Sequence, residues 1–460
     1  MKRLQVKVPE FEAIYMKKGE ITAFLSLIFV LLLSFILSML ESASIQTTKN
    51  RKRLDADRAV FSLFGEYQKE LYEEYGLFAI DGTYETGEYN ENLLLDKMSY
   101  YGSAGIQQEI TDIQLLTDNN GQAFREQVME TMESRTGISL VQNLTGMAES
   151  WEEREIQGQA ISGQLDDALS GEQDLLPEEA YGLVNAKKGG LLFLVLPKTF
   201  HLSNKSIRLS EQVSSRIRKL GRGSFPERVH TQGVEGKILF EKYVLEKFGN
   251  AMEKKSEERN LDYEIEYLLC GKESDSENLK STVNKLIMFR FAMNYKYLLS
   301  DIQKQEEVES MAMTLSLLLM NPELEQAIKH VLLILWGFGE SVMDIRSLLS
   351  GKKCAFNKNA ENWQLQLNGL FHLGTQEDVQ EGEDTENGLT YQQYLQILLF
   401  IKKGTDLTMR TLDRVEQNLI QEKGLASFRA DTCVTKIKLQ NTTDIWNGLQ
   451  YSFPLYFGYL

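Results

Sequence analysis

The chain has 460 residues with 66 acidic and 50 basic side chains, which gives a formal net charge of −16. A surface this acidic argues against nucleic acid or an anionic lipid surface as a binding partner. The 3 cysteines stand far apart, without the spacing of a metal site, so we expect no metal and no cofactor. One disulfide is possible outside the cell, but the odd count leaves at least one thiol free, and we expect all three thiols to be buried. The low count of 6 prolines and the long apolar patterns indicate a mainly helical protein.

The first predicted element is an apolar segment near the N-terminus. Residues 21–40 carry no charge and consist of apolar residues with a few Ser and Thr. A helix of this length spans about 30 Å, which is the thickness of the hydrocarbon core of a bilayer. We therefore predict a short cytoplasmic leader over residues 1–19 and a transmembrane helix over residues 20–40, with residues 21–40 in contact with lipid.

The topology of this segment is not fixed by charge. Lys and Arg residues are balanced on its two sides, so the positive-inside rule favours neither orientation. A first helix near the N-terminus commonly exports the domain C-terminal to it, which favours a single-pass cell-membrane protein with an extracytoplasmic C-terminal domain. The small residues 42–44 leave signal-peptide cleavage open, although the apolar stretch is longer than such a peptide needs.

The helix is expected to continue beyond the apolar segment, because no Pro or Gly occurs before Gly65. Apolar residues occur at the spacing of one helical face: Ala56, Val60, Leu63, Phe64, Tyr67, Leu71 and Tyr75. We predict one helix from residue 20 to residue 75, ended by Gly76, and a strand at 77–80. Residues 41–82 would then form an extended amphipathic helix and a strand.

The rest of the chain divides by composition. In chain order we expect a first extracytoplasmic region over residues 83–202, a linker or long loop and candidate boundary over 203–236, a helical domain over 237–430 and C-terminal β-strands over 431–460. The apolar run 191–196 is too short to span a membrane and indicates a buried strand or hinge. The apolar run 331–338 indicates a central core helix.

The C-terminal region has the pattern of strands. Residues 432–439 alternate and residues 448–460 are rich in aromatic side chains, so the two stretches can pair as a hairpin with a third strand elsewhere. The predicted fold class is therefore mainly α with a small β part (α+β).

No motif for catalysis, nucleotide binding or metal binding is present, so we expect a protein that is not an enzyme and identify no small-molecule substrate. Glu41, Arg51, Asp55 and Asp57 are candidates for a docking surface on the extended helix. The simpler interpretation is that Glu41 lies at the membrane interface and that the aspartates form exposed ion pairs with neighbouring arginines.

Several stretches resemble known proteins: KGEITAFLSLIFVLLLSFILSMLESA at 18–43, DADRAVFSLFGEYQKELYEEYGLFAID at 55–81, GGLLFLVLP at 189–197, YLLCGKESDSENLKSTVNKLIMFR at 267–290, NYKYLLSD at 294–301 and ESVMDIRSLLSG at 340–351. On these stretches the chain resembles the pseudopilin-type subunits encoded with tight-adherence (Tad/Flp) pili. It is also similar to an uncharacterised family of Firmicute membrane proteins associated with such loci. The resemblance implies processing between Gly19 and Glu20. Pilins usually carry Glu five residues after the processed Gly, whereas Phe24 stands here, which favours an accessory or minor tip subunit.

The resemblance implies a structural or assembly subunit of a Tad-like type IV pilus or secretion apparatus, with other subunits of that apparatus as partners. An alternative is a membrane-anchored extracytoplasmic binding module or envelope sensor. This alternative predicts an apolar pocket lined by aromatic residues near Trp336, Trp363 or the C-terminal Tyr451, Tyr456 and Tyr459. An enzyme with an unrecognised site is the third possibility.

Overall fold

The computed structural model describes residues 18–135, 150–154, 156–157, 163, 165, 182–183, 190–226, 233–402, 406–445 and 448–459. The fold is mainly helical with one four-stranded antiparallel sheet near the C-terminus, which confirms the predicted α+β class. The α-helices include α1 (Lys18–Phe64), α2 (Lys69–Tyr75), α3 (Glu91–Met98), α4 (Asp118–Arg135), α5 (Leu192–Val195), α6 (Val234–Lys247), α7 (Glu264–Cys270), α8 (Asp275–Ser300), α9 (Ile302–Leu318), α10 (Glu325–Leu349), α11 (Tyr391–Ile401) and α12 (Asp406–Glu422). The strands are β1 (Ile80–Asp81), β2 (Gln107–Leu115), β3 (Cys433–Asp444) and β4 (Gln450–Gly458).

The chain divides into two compact units. The first unit contains residues 18–65, Asn92–Ile110 and Lys438–Phe457. The second contains Glu66–Glu91, the described residues of Thr111–Ile437, and residues 458–459. The chain therefore divides elsewhere than at the predicted boundary.

The segment 203–226 is a long loop that is fastened to the second unit. Ser214 N–H donates to Asp413 at 2.7 Å, and Arg216 Nη1 donates to Glu416 at 2.5 Å. Both acids lie on α12, so these contacts hold the loop against a helix of the same unit. The remaining part of the predicted linker, residues 227–232, lies outside the described residues.

α1 ends at Phe64, so the prediction of one helix to residue 75 is wrong. The Gly65 N–H donates to the carbonyls of residues 61 and 62, and Gln68 is extended before α2 begins. Glycine ends helices readily because its backbone loses the most freedom in them. The predicted apolar face is buried apart from half-buried Tyr67, and Gly76 ends α2 with φ 69°, as predicted.

The apolar run 191–196 forms the single helical turn α5, so the prediction of a strand is wrong. Leu192 and Val195 are buried, and Arg346 Nε donates to the carbonyl of Leu194 at 2.9 Å. Gly190, with φ 114°, and Pro197 bracket the run, which leaves room for one turn between them. The packing of this turn against α8 and α10 decides its conformation.

β3 is the central strand of the sheet. The order is β1-β3-β2, and β4 also pairs with β3. β1 runs antiparallel to β3, with Ile80 opposite Val434 and Asp81 opposite Cys433. The Ile445 N–H donates to the carbonyl of Leu449 at 2.8 Å between β3 and β4. The predicted C-terminal hairpin with a further strand is therefore confirmed.

α10 is the central helix of the second unit, and every residue from 331 to 345 is buried. α8 and α9 pack against it. Phe338 of α10 meets Phe291 of α8 edge to face at 6.1 Å, and the indole N–H of Trp336 donates to the carbonyl of Leu365 at 2.8 Å. A helix that is apolar on all sides must be covered on all sides, and the prediction of a central core helix over 331–338 is confirmed.

Four charged side chains are buried together beside this helix. Asp344 accepts from Arg290 Nε at 2.8 Å and lies 2.7 Å from Lys358 Nζ, while Lys358 Nζ also lies 2.5 Å from Glu340. The Tyr394 hydroxyl lies 3.0 Å from Arg290 Nη1. Burial opposes ionisation of Asp344, but Arg290 and Lys358 hold its pKa well below the usual value. We name these four residues, Arg290, Glu340, Asp344 and Lys358, the ionic cluster.

Glu266 of α7 is a buried carboxyl of a different kind. Its Oε1 accepts from the Ala251 N–H at 2.9 Å and from the Tyr391 hydroxyl at 2.7 Å. Its Oε2 has no hydrogen-bond partner among the described residues. Burial raises the pKa of Glu266 to about 7, although the hydrogen bonds from the Ala251 N–H and the Tyr391 hydroxyl favour the charged form.

We predict that Asp344→Ala strongly destabilises the second unit, because it leaves Arg290 and Lys358 buried without their shared carboxylate. Removing one partner of a buried ion pair costs about 3–5 kcal/mol in free energy of unfolding. Thermal unfolding of the detergent-solubilised chain, followed by tryptophan fluorescence, measures the change. The control Glu309→Ala removes an exposed partner of Lys329 at 2.8 Å and should cost at most about 1 kcal/mol. Equal losses in the two variants would contradict the role given to the ionic cluster.

We predict that Glu266 makes the folded state lose stability as the pH rises from 4.5, the ordinary pKa, through its folded pKa of about 7. The sign follows because the folded state favours the neutral carboxyl and the unfolded state does not. Glu266→Gln, which cannot ionise, should reduce the difference in melting temperature between pH 5.5 and pH 8. Glu258→Gln, at an exposed position, should leave that difference unchanged. The same pH dependence in all three proteins would refute the assignment.

Candidate docking surface

The outer half of α1 has two different faces. Ala56, Ala59 and Leu63 are fully buried. On the opposite side Leu54 and Phe61 keep 67% and 69% of their surface exposed. These two residues are about two helical turns apart and therefore lie on one face. We name Leu54 and Phe61 the apolar stripe, and it is the candidate docking surface of the outer half of α1.

The buried face fixes the outer half of α1 within the first unit. Ala56 belongs to one buried cluster with Phe453 of β4. Lys49 Nζ and Arg53 Cζ lie 5.1 Å and 5.5 Å from the ring centroid of Tyr451. A cation over an aromatic face contributes roughly 0.5–1 kcal/mol at an exposed site. These two basic residues therefore attach the helix to the sheet. In the sequence they were considered only as part of the Lys and Arg count on the two sides of the apolar segment.

A glycine turn makes room for a third basic residue of α1. Gly102 has φ 118° within the π-helical turn Ser99–Ser103. A Cβ at this position would stand 2.5 Å from Arg58 Nη2. The same nitrogen donates to Asp55 Oδ1 at 3.2 Å, one turn earlier on the helix. Because residue 102 is a glycine, the Arg58 guanidinium has room to lie against its backbone.

The four predicted docking residues do not form one face. By helical geometry, Arg51 and Asp55 lie on one side of the apolar stripe and Asp57 lies on the other. Glu41 is exposed ten residues before Arg51, about 15 Å away along the axis, and stands apart from them. Asp55 pairs with Arg58, as expected for an exposed ion pair. The structure therefore groups three of the four residues around a stripe that the sequence reasoning did not select.

Leu54 and Phe61 were missed because the apolar period was used to find the buried face. The sequence does contain a signal for them: Leu54 and Phe61 are seven residues apart, lie outside the buried face and have charged residues beside them. Phe61 also meets the ring of Phe457 edge to face at 6.1 Å, so the exposed stripe rests on the sheet at one end.

The first half of α1 is exposed and apolar. It is long and apolar enough to cross a membrane, which fits a membrane anchor. Gly19 and Glu20, the residues of the predicted processing site, lie in the first turn of α1, and Glu20 is exposed. Residues 1–17 of the leader lie outside the described residues.

The two tryptophans proposed for a ligand pocket pack against each other. Trp336 is fully buried, and its ring meets that of Trp363 edge to face at 5.5 Å. Both indole N–H groups donate to the carbonyl of Leu365, and Lys304 Nζ lies 4.6 Å from the ring centroid of Trp336. These two tryptophans therefore belong to the core of the second unit.

The described residues offer little reactive chemistry. No group of three or more His, Cys, Asp or Glu among them could hold a metal ion. Burial raises the pKa of Cys354 to about 12 and that of Cys433 well above its usual value, so both are poor nucleophiles at neutral pH. Cys270 is half-buried, in contrast to the predicted burial of all three thiols.

The fold and the exposed helix face define an α+β protein with one N-terminal helix that fits a membrane anchor. The chain belongs to a family of unknown function, DUF5702, which matches residues 175–445. The matched region reaches from before α5 to the end of β3, and α1 precedes it. No curated protein and no solved structure matches the chain.

We predict that Gly102→Ala loosens the first unit, because a side chain at φ 118° is strained and also displaces the Arg58 guanidinium. Such backbone strain costs of the order of 1–3 kcal/mol. Faster limited proteolysis of the first unit would report it. In the control Gly105→Ala, at φ 80°, the nearest atom to the new Cβ is Lys52 Nζ at 3.8 Å, so the strain comes without the clash. Faster cleavage in the Gly105 variant than in the Gly102 variant would contradict the role given to Arg58.

Proposed function

We propose that the chain is a single-pass, membrane-anchored structural or assembly subunit of a Tad-like type IV pilus or secretion apparatus. It works by protein–protein packing and without catalysis, with the N-terminus in the cytoplasm and the C-terminal domain outside the cell membrane. The observation that carries this proposal is the unbroken α1, which leads from the apolar segment to the apolar stripe.

The length of α1 supports a partner close to the membrane. Its 47 residues extend about 70 Å, of which about 30 Å match the hydrocarbon core. The apolar stripe then stands about 20–30 Å beyond the apolar segment. A second subunit anchored in the same membrane can reach this height with a helix of its own. Sharing a membrane raises the effective concentration of such a partner, so a small contact suffices.

The chemistry of the stripe indicates what would cover it. Burying Leu54 and Phe61 contributes about 1.5–3 kcal/mol for each side chain. Arg51 on one side and Asp57 on the other would favour a partner helix that presents apolar residues between charges of opposite sign. This pattern supports packing against a subunit rather than binding of a small molecule.

The apolar segment supports an accessory subunit over a filament repeat. Phe24 stands where the resembled pilins carry Glu, and its side chain is exposed on α1. A carboxylate at this place would seek a partner inside the membrane, whereas Phe is stable in contact with lipid. The chain can therefore remain in the bilayer beside the apparatus.

We predict that Leu54→Glu combined with Phe61→Glu reduces recovery of pilin or secretion subunits at least tenfold. Intact cells are treated with a membrane-impermeant lysine cross-linker, the tagged chain is purified, and its partners are identified by mass spectrometry. The physical reason is that two carboxylates in the stripe would lose their water on contact with an apolar partner surface.

The control for this experiment is Ile217→Glu. It places a carboxylate at an apolar residue outside the stripe, in the second unit, whose side chain is 100% exposed. Recovery from this variant should stay within twofold of the unmodified chain. Recovery of no pilus or secretion component, or equal recovery from the double variant with an unchanged melting curve, would overturn the proposed function. Cross-linking only after permeabilisation would overturn the proposed topology.

A further inference from the structure

Three cationic side chains converge on the C-terminal end of α7. Lys402 Nζ donates to the Leu269 carbonyl at 2.9 Å, and Lys285 Nζ donates to the same oxygen at 3.4 Å. Arg410 Nη1 donates to this oxygen at 3.4 Å and to the Leu268 carbonyl at 3.2 Å. The C-terminal end of a helix carries about half a negative charge, so it can balance only part of three positive charges.

The end of α7 is shaped to admit the arginine. Gly271 comes directly after α7 with φ 65°, and its N–H donates to the Tyr267 carbonyl at 2.7 Å. A Cβ on Gly271 would stand 2.5 Å from Arg410 Cζ. The guanidinium therefore lies directly against the backbone of this glycine.

One exposed acid pairs with this cluster of cations. Asp406 Oδ2 lies 3.8 Å from Arg410 Nη2, but this carboxylate is 67% exposed, so water weakens the pair. Burial, together with the positive charges of Arg410 and Lys285, lowers the pKa of Lys402 to about 8. Such a cluster is notable in a chain of net charge −16, where acids are abundant elsewhere.

A cavity of about 290 Å³ opens beside the cluster, and its wall includes the cations Arg410 and Arg218 and the exposed acid Asp406. Arg218 is half-buried, and its Nη1 hydrogen-bonds Met409 Sδ at 3.3 Å. A thioether sulfur is a weak acceptor, so Met409 does not neutralise this guanidinium. Its charged neighbour is Asp118, whose pKa is raised by burial and lowered by the positive charge of Arg218. The volume is close to the lower end of the range for small-ligand pockets, about 300 Å³.

A further acid, Asp413, hydrogen-bonds two residues of the cavity wall, Ser214 and Tyr267. Asp413 accepts from the Tyr267 hydroxyl and from both the N–H and the hydroxyl of Ser214, each at 2.7 Å. Burial raises the pKa of Asp413, which further reduces its negative charge. Asp413 therefore does not serve as the counter-ion of the two arginines.

We propose that this cavity binds a small ligand with a phosphate or carboxylate group, held between Arg218 and Arg410. Guanidinium groups bind both kinds of oxyanion through paired, charge-assisted hydrogen bonds. The anion supplies the counter-charge that Asp406 provides only in part, and Lys402 adds to the attraction. The site concerns the second unit alone and does not depend on the proposed pilus role.

Calorimetric titration of the detergent-solubilised full chain tests this site. Sodium phosphate and sodium citrate are titrated separately, with sodium chloride of equal ionic strength as the reference. We expect saturable binding of at least one oxyanion, weakened at least tenfold by Arg218→Gln. In the control Arg135→Gln, which removes a cation paired with Glu246 at 3.2 Å outside the cavity, affinity should stay within twofold.

A second readout uses Lys402 itself. Acylation by an amine-reactive ester at pH 8, monitored by peptide mass spectrometry, should slow when the anion binds, because the bound charge keeps the lysine protonated. Protection in phosphatidylglycerol nanodiscs without added salt would identify a lipid headgroup as the source of the anion. Protection of the detergent-solubilised chain by phosphate or citrate would identify a soluble ligand. No saturable binding and no protection in either medium, or equal weakening by Arg218→Gln and Arg135→Gln, would overturn the proposal.

Discussion

The shared pairing of Asp344 with Arg290 and Lys358 is the interaction on which the helical core of the second unit depends. α8 contributes Arg290, α10 contributes Asp344, and the segment after α10 contributes Lys358. No one of these elements can shift without leaving a charge unpaired away from water, and that cost exceeds the gain from any single apolar contact. The ionic cluster therefore fixes the relative positions of elements whose apolar surfaces alone would tolerate several arrangements.

The same constraint, that groups which leave water need partners, separates the two proposed functional surfaces. On α1 the peptide groups of the apolar segment satisfy one another within the helix, which is how a segment can lie in lipid. The apolar stripe is exposed, and a partner can cover it while removing few polar groups from water. Around α7 the opposite holds, since the fold gathers three cations at a helix end and the proposed anionic ligand would add a counter-charge there.

Elements whose apolar residues repeat at a helical or strand spacing over many residues were predictable from the sequence. α8, α10 and the C-terminal hairpin were recognisable because their apolar patterns extend over many residues and are set locally. The end of α1 was not, because the apolar period continues past Gly65 and a single glycine inside a helical pattern can also be tolerated. The conformation of α5 was not, because four residues carry little local preference. Of the docking surface, Arg51, Asp55 and Asp57 were selected for their charge, while Leu54 and Phe61 required knowledge of which face is buried.

The sequence by itself determined the α+β class, the long N-terminal helix with its apolar half, and the core position of residues 331–338, because each results from periodicity within one segment. Tertiary structure alone decided which charges meet. Lys285, Lys402 and Arg410 come from α8, the end of α11 and α12, and they gather at the end of α7 only because the helices pack as they do. Convergence of distant residues depends on packing between elements, and no local pattern encodes it.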